Sequence, residues 1–213
     1  MRCLLQIFAK YPEPGKVKTR LIPTLGAQRA SELQMALLKD LLMRVHGVVD
    51  CELWGDAAAD LPHYRCLIRD YSLGFRRQPD GDLGQRMEWA VASGLRRQRI
   101  PILVGSDCPL MSAEVIVSMM QVLGQEGVDA AMVPALDGGY VAMGLKIKHH
   151  SLFRGIEWGC DSVAGQTLLN MRRSGLVCEV LEPLFDIDTA SDLHLLDDLR
   201  GAHHQHVIQW KNA

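Results

Sequence analysis

Four cations stand close together near the N-terminus of this sequence. Lys10, Lys16, Lys18 and Arg20 fall within eleven consecutive positions. Ammonium and guanidinium groups hold phosphates, Lys as a compact point charge and Arg as a planar set of donors. The spacing predicts a phosphate-binding segment, and a solvated charged loop is the alternative.

The surroundings of these cations favour a ligand. The apolar residues 2–8 precede them and are predicted to be a strand, and loops that leave the carboxyl ends of strands form the ligand crevice of open α/β sheets. Gly15 would let the backbone approach a ligand, while Pro12 and Pro14 reduce the entropy lost when the loop becomes ordered. The glycine spacing of a Walker loop or a dinucleotide fingerprint is absent, which disfavours an NAD-dependent oxidoreductase.

A carboxylate follows the most apolar predicted strand. Residues 102–104 run directly into Gly105, Ser106 and Asp107. A carboxylate at the end of a buried strand is costly unless it is paired or bound to a metal. Asp107 is therefore a candidate ligand for Mg²⁺ or Mn²⁺ that bridges nucleotide phosphates, and capping of the following turn explains it equally well.

Three further segments carry weaker signals. Asp186 and Asp188 would share one face of an extended segment, where one of them could join Asp107 at a metal, although helix capping explains them as well. Residues 137–140 (Asp-Gly-Gly-Tyr) are first of all a hairpin signal. Gln78 has the amide needed to read a base edge, in a segment that could equally be a helix entry.

The elements that must position these residues alternate along the chain. Helices are predicted over 28–45, 83–98, 112–124, 161–174 and 189–199, and strands over 2–8, 48–54, 65–70, 102–104, 129–134, 140–146 and 176–181. This alternation is typical of an α/β fold with a largely parallel sheet covered on both faces. The last residues, which include His203, His204 and His206, show no hydrophobic period and are predicted to be a polar tail.

The composition indicates one folded domain. The chain has 213 residues, of which 48% are hydrophobic and 23% charged. Its 23 Lys and Arg against 25 Asp and Glu give a net charge of -2, so no global positive field draws it to nucleic acid or an anionic membrane. No stretch reaches the roughly 18 apolar residues of a bilayer span. Six dispersed cysteines without a CxxC pair fit reduced thiols, so we expect a cytoplasmic protein.

Five motifs, taken in order, resemble one known family. They lie at 8–21, 78–87, 105–109, 137–145 and 186–193. Together they resemble the GT-A-like bacterial family of radical-SAM/selenodomain-associated transferase 1, in the nucleotide-diphospho-sugar transferase superfamily, and are similar to phospholactate guanylyltransferase. The resemblance implies a single three-layer α/β/α, Rossmann-like GT-A domain over residues 1–200, with a mixed, mostly parallel sheet and a C-terminal tail at 201–213.

The resemblance also implies a role for each candidate residue. Those expected to bind the nucleotide are Lys10, Gly15, Lys16, Lys18, Arg20, Gln78, Gly84 and Ser106. Those expected to ligate Mg²⁺ or Mn²⁺ are Asp107 and Asp188. Those expected to face the acceptor are Asp137, Gly138 and Tyr140, and those expected to be catalytic are Lys18, Arg20 and Asp107.

These roles predict a metal-dependent transferase with a nucleotide-activated donor. The first hypothesis is glycosyl transfer from a nucleotide-diphospho-sugar to a small-molecule acceptor. An alternative is nucleotidyl transfer from an NTP to a phosphorylated small molecule, because the same cations would serve a pyrophosphate leaving group. A nucleotide-binding regulatory protein without turnover is an alternative of another class, against which the intact Asp107 and Asp188 argue. Neither nucleic acid nor membrane is expected as a partner, and a homodimer is left open.

Overall fold

Seven strands form one sheet in the computed structural model, which describes residues 2–213. The strands are β1 (Arg2–Ala9), β2 (Asp50–Gly55), β3 (Gly74–Arg77), β4 (Arg99–Gly105), β5 (Ala130–Pro134), β6 (Tyr140–Leu145) and β7 (Cys178–Val180). Their order is β3-β2-β1-β4-β6-β5-β7, and only β6 runs antiparallel to its two neighbours. The predicted mixed, mostly parallel sheet is confirmed.

Helices cover both faces of this sheet. They are α1 (Ile22–Val45, interrupted at Gly26), α2 (Pro62–Asp70), α3 (Leu83–Arg96), α4 (Ala113–Leu123), α5 (Val163–Arg173) and α6 (Gln205–Asn212). Short 3-10 helices lie at Thr19–Leu21, Ala190–Asp198 and Ala202–His204. Buried side chains of α1, α2 and α4 pack on one face, and those of α3 and α5 pack on the other, which confirms the three layers. None of the helices formed by the described residues has the length and apolar character to cross a bilayer.

The central strand β1 is buried on both faces. Leu5 and Ile7 belong to the core formed with α1, α2 and α4, while Gln6 points to the opposite face and donates through Nε2 to the carbonyl of Ala90 in α3, at 3.0 Å. Each buried Leu or Ile side chain contributes about 1.5–3 kcal/mol. The loop that follows β1 therefore starts from a firmly held strand end.

The prediction of a strand over 65–70 is wrong, because these residues belong to α2. Pro62 stands in the first turn of the helix, where its missing N–H has no helical partner to lose. Tyr64 and Leu67, three positions apart, are both buried against the core. The strand of this region is β3, which begins four residues after the helix ends. A short apolar run fits both the helical and the strand period, so the sequence does not show which element such a run forms.

The C-terminal segment, predicted to be a tail without a period, instead forms α6. Asp40 in α1 accepts hydrogen bonds from the backbone N–H groups of His206 and Val207, both at 3.0 Å, at the first turn of this helix. The ring of Trp210 lies 4.8 Å from the guanidinium of Arg29 and donates to its carbonyl. Contacts with a distant helix fix this segment, and a local pattern does not reveal such contacts.

An ion pair between a buried carboxylate and a half-buried guanidinium ties β2 to the helix layer. Glu52 accepts hydrogen bonds from both Nη atoms of Arg97, and the Nη2 contact is 2.9 Å. Burial opposes ionisation of Glu52, but the hydrogen bonds and charge of Arg97, helped by Arg76 and Trp54, hold its pKa below the ordinary value. The folded state therefore favours the ionised carboxylate.

We expect Glu52→Gln to lower the free energy of unfolding at pH 7 by about 1–3 kcal/mol, because the change removes the partner of a half-buried guanidinium. Because the pKa of Glu52 is lower in the folded chain than in the unfolded chain, its ionised form stabilises the folded state above the ordinary Glu pKa of about 4.3. The advantage of the wild type therefore shrinks as pH falls below that value. Urea titrations at several pH values measure the difference. Asp50→Asn, which breaks the exposed pair with Arg99, is the control, and an equal loss in both variants would contradict the assignment.

Candidate functional site

The loops that follow β1 and β4 enclose a crevice of about 450 Å³. The predicted site residues that line it are Lys10, Lys16, Lys18, Arg20, Gln78, Ser106, Asp107 and Asp188. Because β1 and β4 are parallel neighbours, with Phe8 opposite Gly105, their carboxyl ends deliver the cationic loop and the Asp107 loop to the same edge of the sheet. The structure thus brings together the two groups that the sequence separates by almost ninety residues.

Lys18 is the buried member of the cationic loop, with a side chain only 2% exposed. Its Nζ lies 3.0 Å from Oδ2 of Asp107 and donates to the carbonyl of Ile187, whose own N–H donates to the carbonyl of Asp107 at 3.1 Å. The backbone of Lys18 is left-handed, with φ of 47°, a conformation that non-glycine residues keep only where surrounding contacts enforce it. This side chain joins three separate loops of the site.

The other cations of the loop are open to solvent. Lys16 is 70% exposed and pairs with Glu13 at 2.8 Å, and Arg20 is 61% exposed and pairs with Asp188 at 2.7 Å. Lys10 is exposed as well. Exposed ion pairs contribute only about 0–1 kcal/mol, so a phosphate can replace these carboxylates at little cost. Lys10, Lys16 and Arg20 are the loop cations available to an incoming anion.

A polar chain that was not predicted holds the other oxygen of Asp107. Gln34 of α1, which is buried, donates through Nε2 to Oγ of Ser106 at 2.8 Å, and this hydroxyl donates to Oδ1 of Asp107 at 3.2 Å. An amide NH₂ is only a donor, so it leaves the serine proton for the carboxylate. The sequence signal was a polar residue among the apolar residues 33–38, and such a position marks a buried polar contact.

A second acidic side chain lies beside this carboxylate. Asp186 has its pKa raised to about 6, first by burial and then by the negative charges of Asp137 and Asp107, with Lys18 acting in the opposite direction. The loop of Asp137, between β5 and β6, lies at the same edge of the sheet, because β6 begins beside the carboxyl end of β4, with Ala142 opposite Val104. The structure confirms that 137–139 is the turn of an antiparallel pair.

Gln78 lines the crevice with both ends of its amide engaged. Its Nε2 donates to the carbonyl of Trp54 at 2.7 Å, and its Oε1 lies 3.4 Å from Nη1 of Arg86. Arg86 also lines the crevice, and it donates through Nε to the carbonyl of Gly81 at 2.9 Å. Arg86 adds a cation to which sequence reasoning gave no role.

Two glycines expected to bind the nucleotide do not line the crevice. A Cβ on Gly84 would come within 2.9 Å of both the carbonyl oxygen of Phe153 and the ring of Trp158, so this glycine lets α3 pack closely on the segment before α5. Gly15 has φ of 86°, which suits the turn that precedes Lys16. A nucleotide-binding role for either glycine stays a prediction.

None of the three expected acceptor residues lines the crevice, although strand pairing puts them at the same edge of the sheet. Asp137 accepts from the backbone N–H two residues on, at 2.9 Å, as in a hairpin turn. Gly138 has φ of 94°, and a Cβ there would collide with the backbone of Asp161. The hydroxyl of Tyr140 lies 3.7 Å from Sδ of Met87 in the core below α3, and burial raises its pKa. The acceptor role of these residues stays a prediction.

The carboxylates of Asp107 and Asp188 suit a hard cation that is shared with phosphates. Both line the crevice, and each pairs with one cationic side chain. Mg²⁺ is held in many enzymes by one or two carboxylates together with substrate phosphates. Within residues 2–213 there is no group of three His, Cys, Asp or Glu side chains arranged to hold a metal.

Cys108, the residue after Asp107, is buried, and burial raises the pKa of its thiol to about 12. The thiol is therefore neutral at pH 7.

The whole chain superposes on solved transferases. It matches a candidate nucleotide-diphospho-sugar transferase from Desulfovibrio desulfuricans G20 with a TM-score of 0.84 and 29% identity, over 98% of this chain and 95% of that one. A cytidylyltransferase from Leptospira borgpetersenii matches with a TM-score of 0.56 and 13% identity, over 100% and 95% of the two chains. A 4-diphosphocytidyl-2C-methyl-D-erythritol synthase from Anaerococcus prevotii matches with 0.58 and 11%, over 91% and 94%. The last two likenesses concern the fold alone.

The fold and the match at 29% identity place the chain among the transferases of the GT-A-like superfamily. The chain belongs to the family described as "Uncharacterized protein conserved in bacteria (DUF2064)", whose family model matches residues 42–160. No curated protein matches the chain.

Lys16 and Lys18, alike in the sequence, should respond differently to loss of charge. We expect Lys18→Met to lower the free energy of unfolding by about 1–3 kcal/mol, because Asp107 and the Ile187 carbonyl lose a charged donor. Lys16→Met should change it by less than about 0.5 kcal/mol, as is usual for surface substitutions. Urea unfolding followed by circular dichroism measures both, and equal effects in the two variants would refute the linking role of Lys18.

Proposed function

We propose that this chain is a divalent-metal-dependent transferase that takes a nucleotide-diphospho-sugar as donor and moves the sugar to a small-molecule acceptor. The observation that carries the proposal is the crevice in which the exposed cations Lys16 and Arg20 stand with the carboxylates of Asp107 and Asp188. The candidate activity of the structural match at 29% identity supports the choice of donor.

In this proposal the donor phosphates bind among the cations that line the crevice. Lys10, Lys16 and Arg20 reach them from the loop after β1, and Arg86 reaches them from α3. The leaving nucleoside diphosphate gains negative charge as the glycosidic bond breaks, and these cations stabilise that charge. Lys18 contributes by holding the loops of Asp107 and Ile187 in place.

Asp107 and Asp188 are the residues proposed to hold Mg²⁺ or Mn²⁺. When bound, the cation supplies further neutralisation of the phosphate oxygens of the leaving group. The Gln34–Ser106 chain fixes the orientation of the Asp107 carboxylate, so this ligand is ready for the cation without loss of side-chain freedom. On the acceptor side, Asp137 and Asp186 present carboxylates that can accept hydrogen bonds from hydroxyl groups of an acceptor.

Nucleotidyl transfer is the second candidate, and the charge count of the crevice supports it as much as it supports glycosyl transfer. Five cationic side chains line the crevice against two carboxylates, Asp107 and Asp188. This excess suits the triphosphate of an NTP as well as the diphosphate of a nucleotide-sugar.

The closer kinship predicted from the motifs, with radical-SAM/selenodomain-associated transferase 1 and phospholactate guanylyltransferase, stays a prediction.

Product analysis separates the two reactions. The protein is incubated with Mn²⁺ and a panel of nucleotide-sugars or NTPs, each with a mixture of small acceptors. Glycosyl transfer releases nucleoside diphosphate from a nucleotide-sugar, whereas nucleotidyl transfer releases pyrophosphate from an NTP. Tight nucleotide binding without turnover of either donor would instead indicate a regulatory nucleotide-binding protein.

We expect Asp188→Asn to weaken Mn²⁺-dependent nucleotide binding at least about tenfold, because it removes one of two proposed metal ligands. Calorimetric titration of a nucleoside diphosphate with Mn²⁺ or with EDTA measures the effect. Glu13→Gln is the matched control: it removes an exposed carboxylate that pairs with Lys16 in the neighbouring loop, and affinity should not fall. A nucleotide affinity that is unchanged by EDTA and by the Asp188 substitution would overturn the metal-dependent proposal.

A further inference from the structure

The hydroxyl of Tyr64 lies at the end of the strand that leads into the cationic loop. Tyr64 stands in the first turn of α2, and its side chain is fully buried. Its Oη lies 2.9 Å from the carbonyl oxygen of Ala9, the last residue of β1, and 3.1 Å from Oδ1 of Asp56. A tyrosine hydroxyl has a single proton, so these two acceptors share it. Burial, and after it the charge of Asp56, raises the pKa of Tyr64, so the hydroxyl remains a donor.

Close packing fixes the ring that carries this hydroxyl. Gly55, the last residue of β2, lies opposite Ala9 in the sheet, and a Cβ on Gly55 would come within 2.5 Å of the Tyr64 ring. On the other side, the ring of Tyr11 packs edge-on against the Tyr64 ring, with centroids 5.1 Å apart. The position of the hydroxyl therefore follows from contacts with β2 and with the loop after β1.

Asp56 holds the same loop one peptide group further on. It follows β2 directly, and its Oδ1 accepts a hydrogen bond from the backbone N–H of Tyr11 at 2.6 Å. The Tyr64 hydroxyl thus binds the carbonyl that precedes Lys10, and Asp56 binds the N–H that follows it. Both peptide groups that flank Lys10 are held by side chains from the segment that joins β2 to α2.

Backbone hydrogen bonds continue from this point to Lys16. The N–H of Glu13 donates to the carbonyl of Tyr11 at 2.7 Å, and the N–H of Lys16 donates to the carbonyl of Glu13 at 3.0 Å. The far end of the loop is held by the buried ammonium of Lys18. The exposed cations Lys10 and Lys16 therefore lie between two anchored points of the backbone. A lysine whose backbone is already fixed loses less conformational freedom when it binds a phosphate.

We propose that Tyr64 and Asp56 are positioning residues of the donor site, which hold the peptide groups beside Lys10 and so keep Lys10 and Lys16 at the crevice. The inference rests on the proposed function, because it takes these two lysines as ligands of the donor phosphates. Neither Tyr64 nor Asp56 lines the crevice, so both act through the loop and not on the substrate.

Calorimetric titration of inorganic pyrophosphate with Mg²⁺ tests the inference, because pyrophosphate carries the linked phosphates that both candidate donors share. Tyr64→Phe keeps the ring and removes the hydroxyl, and we expect it to weaken pyrophosphate binding at least about threefold. Tyr71→Phe is the matched control: it removes a hydroxyl from the same core, beside His46 and away from the crevice, and the affinity should not change. Equal affinities in the wild type and Tyr64→Phe would overturn the inference.

Substitution of Asp56 sets charge against position. Loss of a carboxylate beside Lys10 makes the local potential more positive, which by itself strengthens the binding of a polyanion. Loss of the hydrogen bond to Tyr11 has the opposite effect. We expect Asp56→Ala to weaken pyrophosphate binding at least about threefold, and Asp56→Asn, which keeps an oxygen acceptor, to restore most of the affinity. Unchanged or tighter binding in Asp56→Ala would contradict a positioning role.

A double-mutant cycle separates positioning from a purely structural role. If Tyr64 acts through Lys10, Lys10→Gln should weaken pyrophosphate binding about fivefold in the wild type and less than about twofold in Tyr64→Phe. Equal effects of Lys10→Gln in the two backgrounds would refute the coupling. A wild type that binds no pyrophosphate would refute the proposed donor site itself, whereas binding that Tyr64→Phe leaves unchanged would refute this inference alone.

Discussion

The buried ammonium of Lys18 is the constraint on which the site depends. A lysine that is 2% exposed must find partners for its charge, and here they are the carboxylate of Asp107 and the carbonyl of Ile187. These partners belong to the loop after β4 and the segment before the 3-10 helix Ala190–Asp198, while Lys18 itself follows β1. One desolvated side chain thereby sets the separation of three loops that the sheet alone would leave independent.

This arrangement works because the strands beneath it are rigid. β1 and β4 are parallel neighbours inside a sheet that is covered on both faces, so their carboxyl ends present a fixed platform. Gln34 reaches the platform from α1 and Asp192 from the 3-10 helix, where it accepts from the backbone N–H groups of Asp188 and Thr189 at 2.9 and 2.6 Å. The Gln34–Ser106 chain thus orients the carboxylate of Asp107, and Asp192 fixes the backbone that carries Asp188.

The sequence allowed the fold and the convergence of the candidate site residues on one sheet edge to be predicted, but not the state of each side chain. One predicted strand is followed by Lys16 to Arg20 and another by Asp107. Because parallel strands end at one edge of the sheet, this pattern was enough to predict that the two groups meet. Helix α6 and the role of Gln34 were not predicted, because both depend on contacts with distant residues, such as the cap that Asp40 provides to α6. The short segment 65–70 was assigned to the wrong element because a few apolar residues fit either period.

Two residues of the same chemical type can have different roles because one is buried and the other is exposed, and no local sequence pattern encodes that difference. Lys16 and Lys18 are two positions apart, yet one is 70% exposed and the other 2%, so one can meet a ligand and the other organises the protein. The same division separates the exposed Arg20, paired with Asp188, from the buried Arg44, whose Nη2 lacks a partner among the described residues. A net charge of -2 therefore conceals a local concentration of cations at the carboxyl ends of the strands. A chain that is nearly neutral can still hold multiply charged ligands when its cations are concentrated at such a point.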